Sequence, residues 1–167
     1  MTKLADIFYQ TAALHPDKTA IWCDNEAVTY RELADRVSRY SRFLIDNGIA
    51  YRDHIGIPMN NSIASVALIL AAANLGVGLV PINPTLPPDA IQTAFAAADV
   101  KHLIARRAFL EQCAKSGGLH VAGTSICMDD EYDGLPSLRD AERLPAERPA
   151  ARETSGDDIL IVTMTSG

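Results

Sequence analysis

The stretch from Ile63 to Ile82 constrains this chain more than any other. Ile63 to Leu75 is apolar at nearly every position, so a helix there has no wet face. Leu79-Val80-Pro81-Ile82 follows as a short apolar run, which reads as a buried strand. A helix and a strand that must both be buried need other layers to cover them. The run approaches the ~20 apolar residues of a membrane span. However, Ser65, Asn74, Gly76, Gly78 and Pro81 interrupt it, and alanine supplies much of its apolar count. A buried helix feeding a buried strand is the better reading.

The rest of the chain fits that layered plan. Leu4, Ile7, Phe8, Thr11 and Leu14 recur at helical spacing, giving a first helix over 2–14, which His15-Pro16-Asp17 ends. Thr19 to Cys23 and Ala27 to Tyr30 read as strands joined through Asp24-Asn25-Glu26 as a hairpin. Thr29 and Glu32 form a capping box for a helix with Leu33, Val37, Tyr40, Leu44 and Ile45 inward. Its wet side offers Glu32–Arg36 and Asp35–Arg39 pairs, and Asn47-Gly48 stops it. His54 to Met59 is a strand, and Ser62 caps the buried helix that Gly76 ends. Asn83 to Pro88 turns into a helix with Ile91, Ala94, Phe95 and Ala98 inward, with proline in its first turn. Strands over 101–105 and 124–128 flank a helix over 107–116 that Gly117-Gly118 closes. Residues 129–156, rich in acids, prolines and arginines, read as a surface connection with a possible helical turn over 137–142. A last strand, Ile159-Leu160-Ile161-Val162, runs into Thr163-Met164-Thr165-Ser166-Gly167. The alternation predicts an α/β fold with a mostly parallel sheet and helices on both faces.

Bulk properties narrow the function. The 167 residues carry a net charge of −6 and no basic cluster, which argues against nucleic acid or an anionic membrane as partner. Cys23, Cys113 and Cys127 are odd in number and far apart, fitting buried thiols in a reducing cytoplasm. An acid at position 6 interrupts any signal-peptide core. His15, His54, His102 and His120 are scattered, with no partner at a suggestive spacing, and packing explains them better than catalysis. Asp129, Asp130, Glu131 and Asp133 lack the spacing of a calcium loop and read as a solvated turn. The strand ending in Thr165-Ser166-Gly167 is the one chemically suggestive feature. Glycine lets a backbone approach an anion, and the adjacent N–H and O–H groups can donate to it.

Three segments together resemble the first three core motifs of the adenylate-forming enzymes, the AMP-dependent synthetase and ligase superfamily. They are Val28-Thr29-Tyr30-Arg31-Glu32-Leu33; Asn61-Ser62 with Leu75-Gly76-Val77-Gly78-Leu79-Val80-Pro81-Ile82-Asn83-Pro84; and Met164-Thr165-Ser166-Gly167. The resemblance covers the whole chain and is similar in spacing, although Met164 stands where the family usually has an aromatic residue. It implies the N-terminal subdomain of that fold and the N-terminal fragment of an acyl-CoA synthetase-like enzyme. Such an enzyme uses ATP and Mg2+ to activate a small-molecule carboxylic acid, fatty or aryl. The acyl group then passes to the thiol of coenzyme A or of a carrier protein. Ile82-Asn83-Pro84 resembles CoA synthetases more than peptide-synthetase domains, which tend to have an aspartate there. By this match Thr165, Ser166 and Gly167 open the ATP phosphate loop. The first two motifs read as structural: Thr29 and Glu32 as a cap, Gly76 and Gly78 as a tight turn, Asn83 as a brace. The family's lysines, magnesium glutamate and ribose aspartate would lie beyond Gly167, so no catalytic or metal-binding residue is expected within 1–167, and the fragment is expected to be inactive alone. Its open terminal edge favours self-association. The competing reading is a stand-alone α/β module that binds nucleotide or protein without catalysis.

Overall fold

A computed structural model of the chain describes residues 3–150 and 157–163. Helix α1 (Leu4–Leu14) leads into a hairpin of β1 (Thr19–Cys23) and β2 (Glu26–Thr29). Asp24 and Asn25 both adopt positive φ, 49° and 65°, the geometry that matches a two-residue hairpin turn to the strand twist. Helix α2 (Tyr30–Asp46) starts on the expected capping box. The Thr29 backbone N–H donates to Glu32 Oε2 at 2.7 Å, and the Glu32 N–H donates to Thr29 Oγ1 at 3.2 Å. The Glu32 carboxylate is thus committed to the cap, and Arg39 donates to the Leu144 carbonyl at 3.1 Å. An i,i+4 ion pair within this helix is Arg42–Asp46, and Arg31 pairs outward with Asp17.

Next come β3 (His54–Ile57), α3 (Ile63–Leu75), β4 (Gly78–Pro81), α4 (Pro88–Ala97), β5 (Val100–Ala105), α5 (Arg107–Ala114) and β6 (Ser125–Cys127). A 3-10 turn spans Leu138–Arg143. The four later strands form a parallel sheet in the order β4-β3-β5-β6. Beyond β4, the terminal segment adds a parallel bridge between Leu79 and Ile161. The α/β class, parallel sheet and helical cover are as expected from the alternation.

Side chains alternate across the sheet and divide the core in two. Ile55, Ile57, Leu79, Ile104 and Ile126 pack with α1, α2 and α3. Leu103, Ala105 and Cys127 pack on the other face with Ile91 and Phe95 of α4 and Phe109, Leu110 and Cys113 of α5. Gly56 lies under Phe95: a Cβ built there would sit 2.5 Å from two ring carbons. Ser62 caps α3 by accepting from the Ser65 N–H at 3.2 Å, and Gly76 ends the helix in the left-handed region.

Three sequence readings change. The inward face of α1 is Ala5, Phe8 and Ala12, while Leu4, Ile7 and Leu14 are exposed. Two of the three inward residues are alanines, with Phe8 as the one large anchor. Gly78 does not serve the turn: it sits in β4, where a Cβ would lie 2.5 Å from the His54 ring. Of residues 129–156, read as a surface connection, the described part (129–150) is more than that, because Ser137, Leu138 and Ala141 are buried. Arg148 fastens this segment across the helices. It donates to Asn74 Oδ1 at 2.9 Å and Asp6 Oδ1 at 2.7 Å, and lies 4.2 Å from the Tyr9 ring centroid.

Candidate functional site

Two edges of the sheet have different chemistry. At the amino-terminal edge the side chains brace one another. The Asp53 carboxylate accepts from the Ala50 N–H at 2.7 Å, Lys101 Nζ at 2.9 Å and His102 Nε2 at 3.2 Å. His102 Nδ1 accepts from the Thr124 N–H at 3.0 Å, so both ring nitrogens are committed. Burial pushes the Asp53 carboxyl up, but the hydrogen bonds from Lys101, Ala50 and His102 outweigh it and hold it below the usual carboxylate range. His54 Nδ1 lies 2.6 Å from the Ala98 carbonyl, which makes that nitrogen the donor. Both rings thus make bracing hydrogen bonds within the fold. The Asp53–His102 partnership, spanning 49 positions, has no local sequence signal.

The carboxyl-terminal edge is where open α/β sheets leave a crevice, at the point where connections depart in opposite directions. Here α3 connects β3 outward to β4, and the chain then crosses to β5 on the other side of β3. A cavity of about 290 Å³ lies at these strand ends, lined by Pro58, Met59, Asn60, Pro84, Arg106 and Phe109 among others. Asn60 turns its amide oxygen to Arg106, 3.2 Å from Nη2, and its amide nitrogen to the hydroxyls of Ser62 and Ser65. Asp129 accepts from Arg106 Nη1 at 3.2 Å and from the Arg107 N–H at 2.8 Å. It therefore tethers the start of α5. Asn83 braces the turn after β4 by accepting from the Thr85 N–H at 3.0 Å and its hydroxyl at 2.8 Å.

The terminal segment points its far end toward this same edge. Leu79 N–H donates to the Leu160 carbonyl and Val162 N–H to the Leu79 carbonyl, each at 2.8 Å. The pairing is parallel, so the chain leaves Thr163 on the side where β4 ends at Pro81. Thr165, Ser166 and Gly167, the residues assigned to a phosphate loop, lie outside the described residues. Among the described residues no cluster of three His, Cys, Asp or Glu could hold a metal, and no helix is long and apolar enough to cross a membrane.

Comparison with known proteins agrees with this geometry. The AMP-binding enzyme family matches residues 8–167. Tyrocidine synthase 3 of Brevibacillus parabrevis is 32% identical over 168 aligned residues, covering 99% of this chain and 2% of that protein. The NpsA N-terminal subdomain of Klebsiella oxytoca superposes with a TM-score of 0.78 at 25% identity, covering 100% of this chain and 39% of that one. A benzoate CoA ligase from Burkholderia xenovorans superposes with a TM-score of 0.81 at 22% identity, covering 96% of this chain and 32% of that one. The chain thus spans a small part of the curated relative and under two-fifths of the two solved chains. The family match along nearly the whole length shows that the chain belongs to the AMP-binding enzyme family of adenylate-forming proteins.

Proposed function

We propose that this chain is the amino-terminal part of an ATP-dependent carboxylate-activating ligase, and that Thr165, Ser166 and Gly167 begin the loop that receives the ATP phosphates. The observation that supports this reading is the parallel pairing of residues 160–162 with Leu79, which leaves Thr163 on the side where β4 ends. The reaction is attack of a substrate carboxylate oxygen on the α-phosphorus of ATP. A P–O bond forms to give the acyl-adenylate, and the bond to the leaving pyrophosphate breaks. Pyrophosphate develops charge as it leaves. Threonine and serine hydroxyls with glycine N–H groups fit the donor set such an anion needs. Mg2+ would neutralise phosphate charge in the parent enzyme, and no residue of this chain is assigned to it.

Coenzyme A is the proposed acceptor, supported by Ile82-Asn83-Pro84 in the second motif and by the fold likeness to a CoA ligase. A carrier-protein thiol is the rival, supported by similarity to a peptide synthetase. The test is carboxylate-dependent exchange of labelled pyrophosphate into ATP by the full-length polypeptide, across fatty and aryl acids. Exchange is expected with at least one acid, followed by thioester formation on CoA. No exchange with any acid would refute the ligase, and transfer only to a carrier protein would refute the CoA assignment. The 167 residues alone should show no exchange. With Ile159 and Ile161 half-exposed on the terminal segment, they should also self-associate, and a clean monomer in light scattering would refute that.

A further inference from the structure

The terminal segment meets β4 through a single bridge, yet its register must be fixed. In a parallel pair a slip of one residue moves the strand by about 3.3 Å. It also exchanges the two faces, and a half-buried strand normally resists this because one face is polar. Ile159-Leu160-Ile161-Val162 is apolar at every position, so that discrimination is weak here. A slip would carry the phosphate loop out of place with little loss of apolar contact.

A polar group that breaks this degeneracy is Asp158, three residues before the bridge at Ile161 and with its side chain only 9% exposed. Tyr51 donates its hydroxyl to Asp158 Oδ1 at 2.6 Å. Arg52 reaches the same oxygen with Nε at 3.5 Å while its guanidinium lies 5.0 Å from the Tyr51 ring centroid. These two residues stand in the turn that precedes β3. The turn is itself pinned to the sheet: Arg52 N–H donates to the Gly76 carbonyl at 2.9 Å, and Gly78 N–H to the Asp53 carbonyl at 2.9 Å. Both ends of β4's amino-terminal approach thus fix the turn, and the turn fixes Asp158. We infer that Tyr51 and Arg52 are positioning residues that lock the register of the phosphate-loop strand through Asp158. The inference rests on the proposed function for its catalytic consequence, but not for its structural one.

The test compares Tyr51→Phe and Asp158→Asn with Lys101→Gln in the full-length polypeptide. Tyr51→Phe keeps the ring under Arg52 and removes only the donor. Lys101→Gln disturbs the same edge through Asp53 without touching Asp158. Hydrogen exchange of peptides covering 157–163 should quicken about tenfold in the first two variants, the scale of one lost charge-assisted bond. Their KM for ATP in pyrophosphate exchange should rise severalfold, with the carboxylate KM unchanged. Lys101→Gln should lower the melting temperature while leaving both readouts at wild type. If Tyr51→Phe behaves like Lys101→Gln, or raises the ATP KM without quickening exchange at 157–163, the register lock is refuted. If the wild-type protein shows no carboxylate-dependent exchange, the functional reading fails, and the hydrogen-exchange arm alone still decides the lock.

Discussion

Replacing Asp53 by asparagine removes one charge and almost no volume, so its cost isolates the brace at the amino-terminal edge of the sheet. Oδ1 accepts from Lys101 at 2.9 Å, while Oδ2 is shared by the Ala50 N–H at 2.7 Å and His102 Nε2 at 3.2 Å. Asparagine keeps one acceptor and turns an NH2 group toward donors on the other side. Hydrogen bonds to a charged group contribute about 1.5–3 kcal/mol each, and a buried donor left without an acceptor costs a similar amount. Asp53→Asn should therefore destabilise the domain by about 2–3 kcal/mol at neutral pH. With a urea slope of about 2 kcal/mol/M, the unfolding midpoint falls by about 1 M or slightly more. The pH dependence supplies a second check. The folded carboxyl is held below its usual range, so the unfolded state takes up the proton first. The stabilisation is complete above the unfolded value of about 3.9 and is lost as pH falls through the lower folded value. The gap between wild type and Asp53→Asn should be constant from pH 5 to 8, as rough limits, and shrink in stronger acid. Urea melts followed by circular dichroism read both quantities. A midpoint unchanged at neutral pH, or a gap that persists undiminished in acid, would refute the account of Asp53 as an ionised acceptor of three bonds.

Two further outcomes test packing and local structure. Gly56→Ala should cost about 1–3 kcal/mol because Phe95, 1% exposed, cannot yield to a new methyl group. Adding Phe95→Leu should recover part of that loss, and strictly additive effects would show that the ring is not what the methyl meets. Thr29→Ala should lower stability by about 1 kcal/mol in urea melts by removing the α2 cap. An unchanged midpoint would mean the cap is replaced by solvent at no cost.

Features with short-range causes were legible in the sequence. The Thr29–Glu32 cap, the Asp24-Asn25 turn, the Gly76 stop and the Asn83 brace each depend on atoms a few positions apart. The buried α3–β4 unit was legible because it has no polar face to leave in water. Strand order was not, since periodicity tells which face is apolar and says nothing about which strand lies beside it. The α1 face was misread because Leu4, Ile7 and Leu14 outweigh Ala5 and Ala12 on any hydropathy scale, and only Phe8 of the large apolar residues turns inward. The Asp53–Lys101–His102 brace and the Tyr51–Asp158 bond join residues that only the folded sheet brings together. The proposed phosphate loop rests on the resemblance and lies outside the described residues. Thr-Ser-Gly alone is a common turn, and its meaning came from the two earlier motifs.

The bond from Arg148 to Asp6 spans 142 positions, and this has a consequence for how the chain reaches its native state. A growing polypeptide makes α1 well before the guanidinium that ties it down. The β3–α3–β4–α4–β5 block, in which β3 pairs with both β4 and β5, can assemble well before that clasp arrives. Closing so long a loop is entropically costly and comes late. During synthesis α1 can already lay Ala5, Phe8 and Ala12 against α2 and α3, but it lacks this clasp until Arg148 is made. Changes at Arg148 should then lower the yield of soluble protein in cells more than they lower the stability of the molecules that do fold.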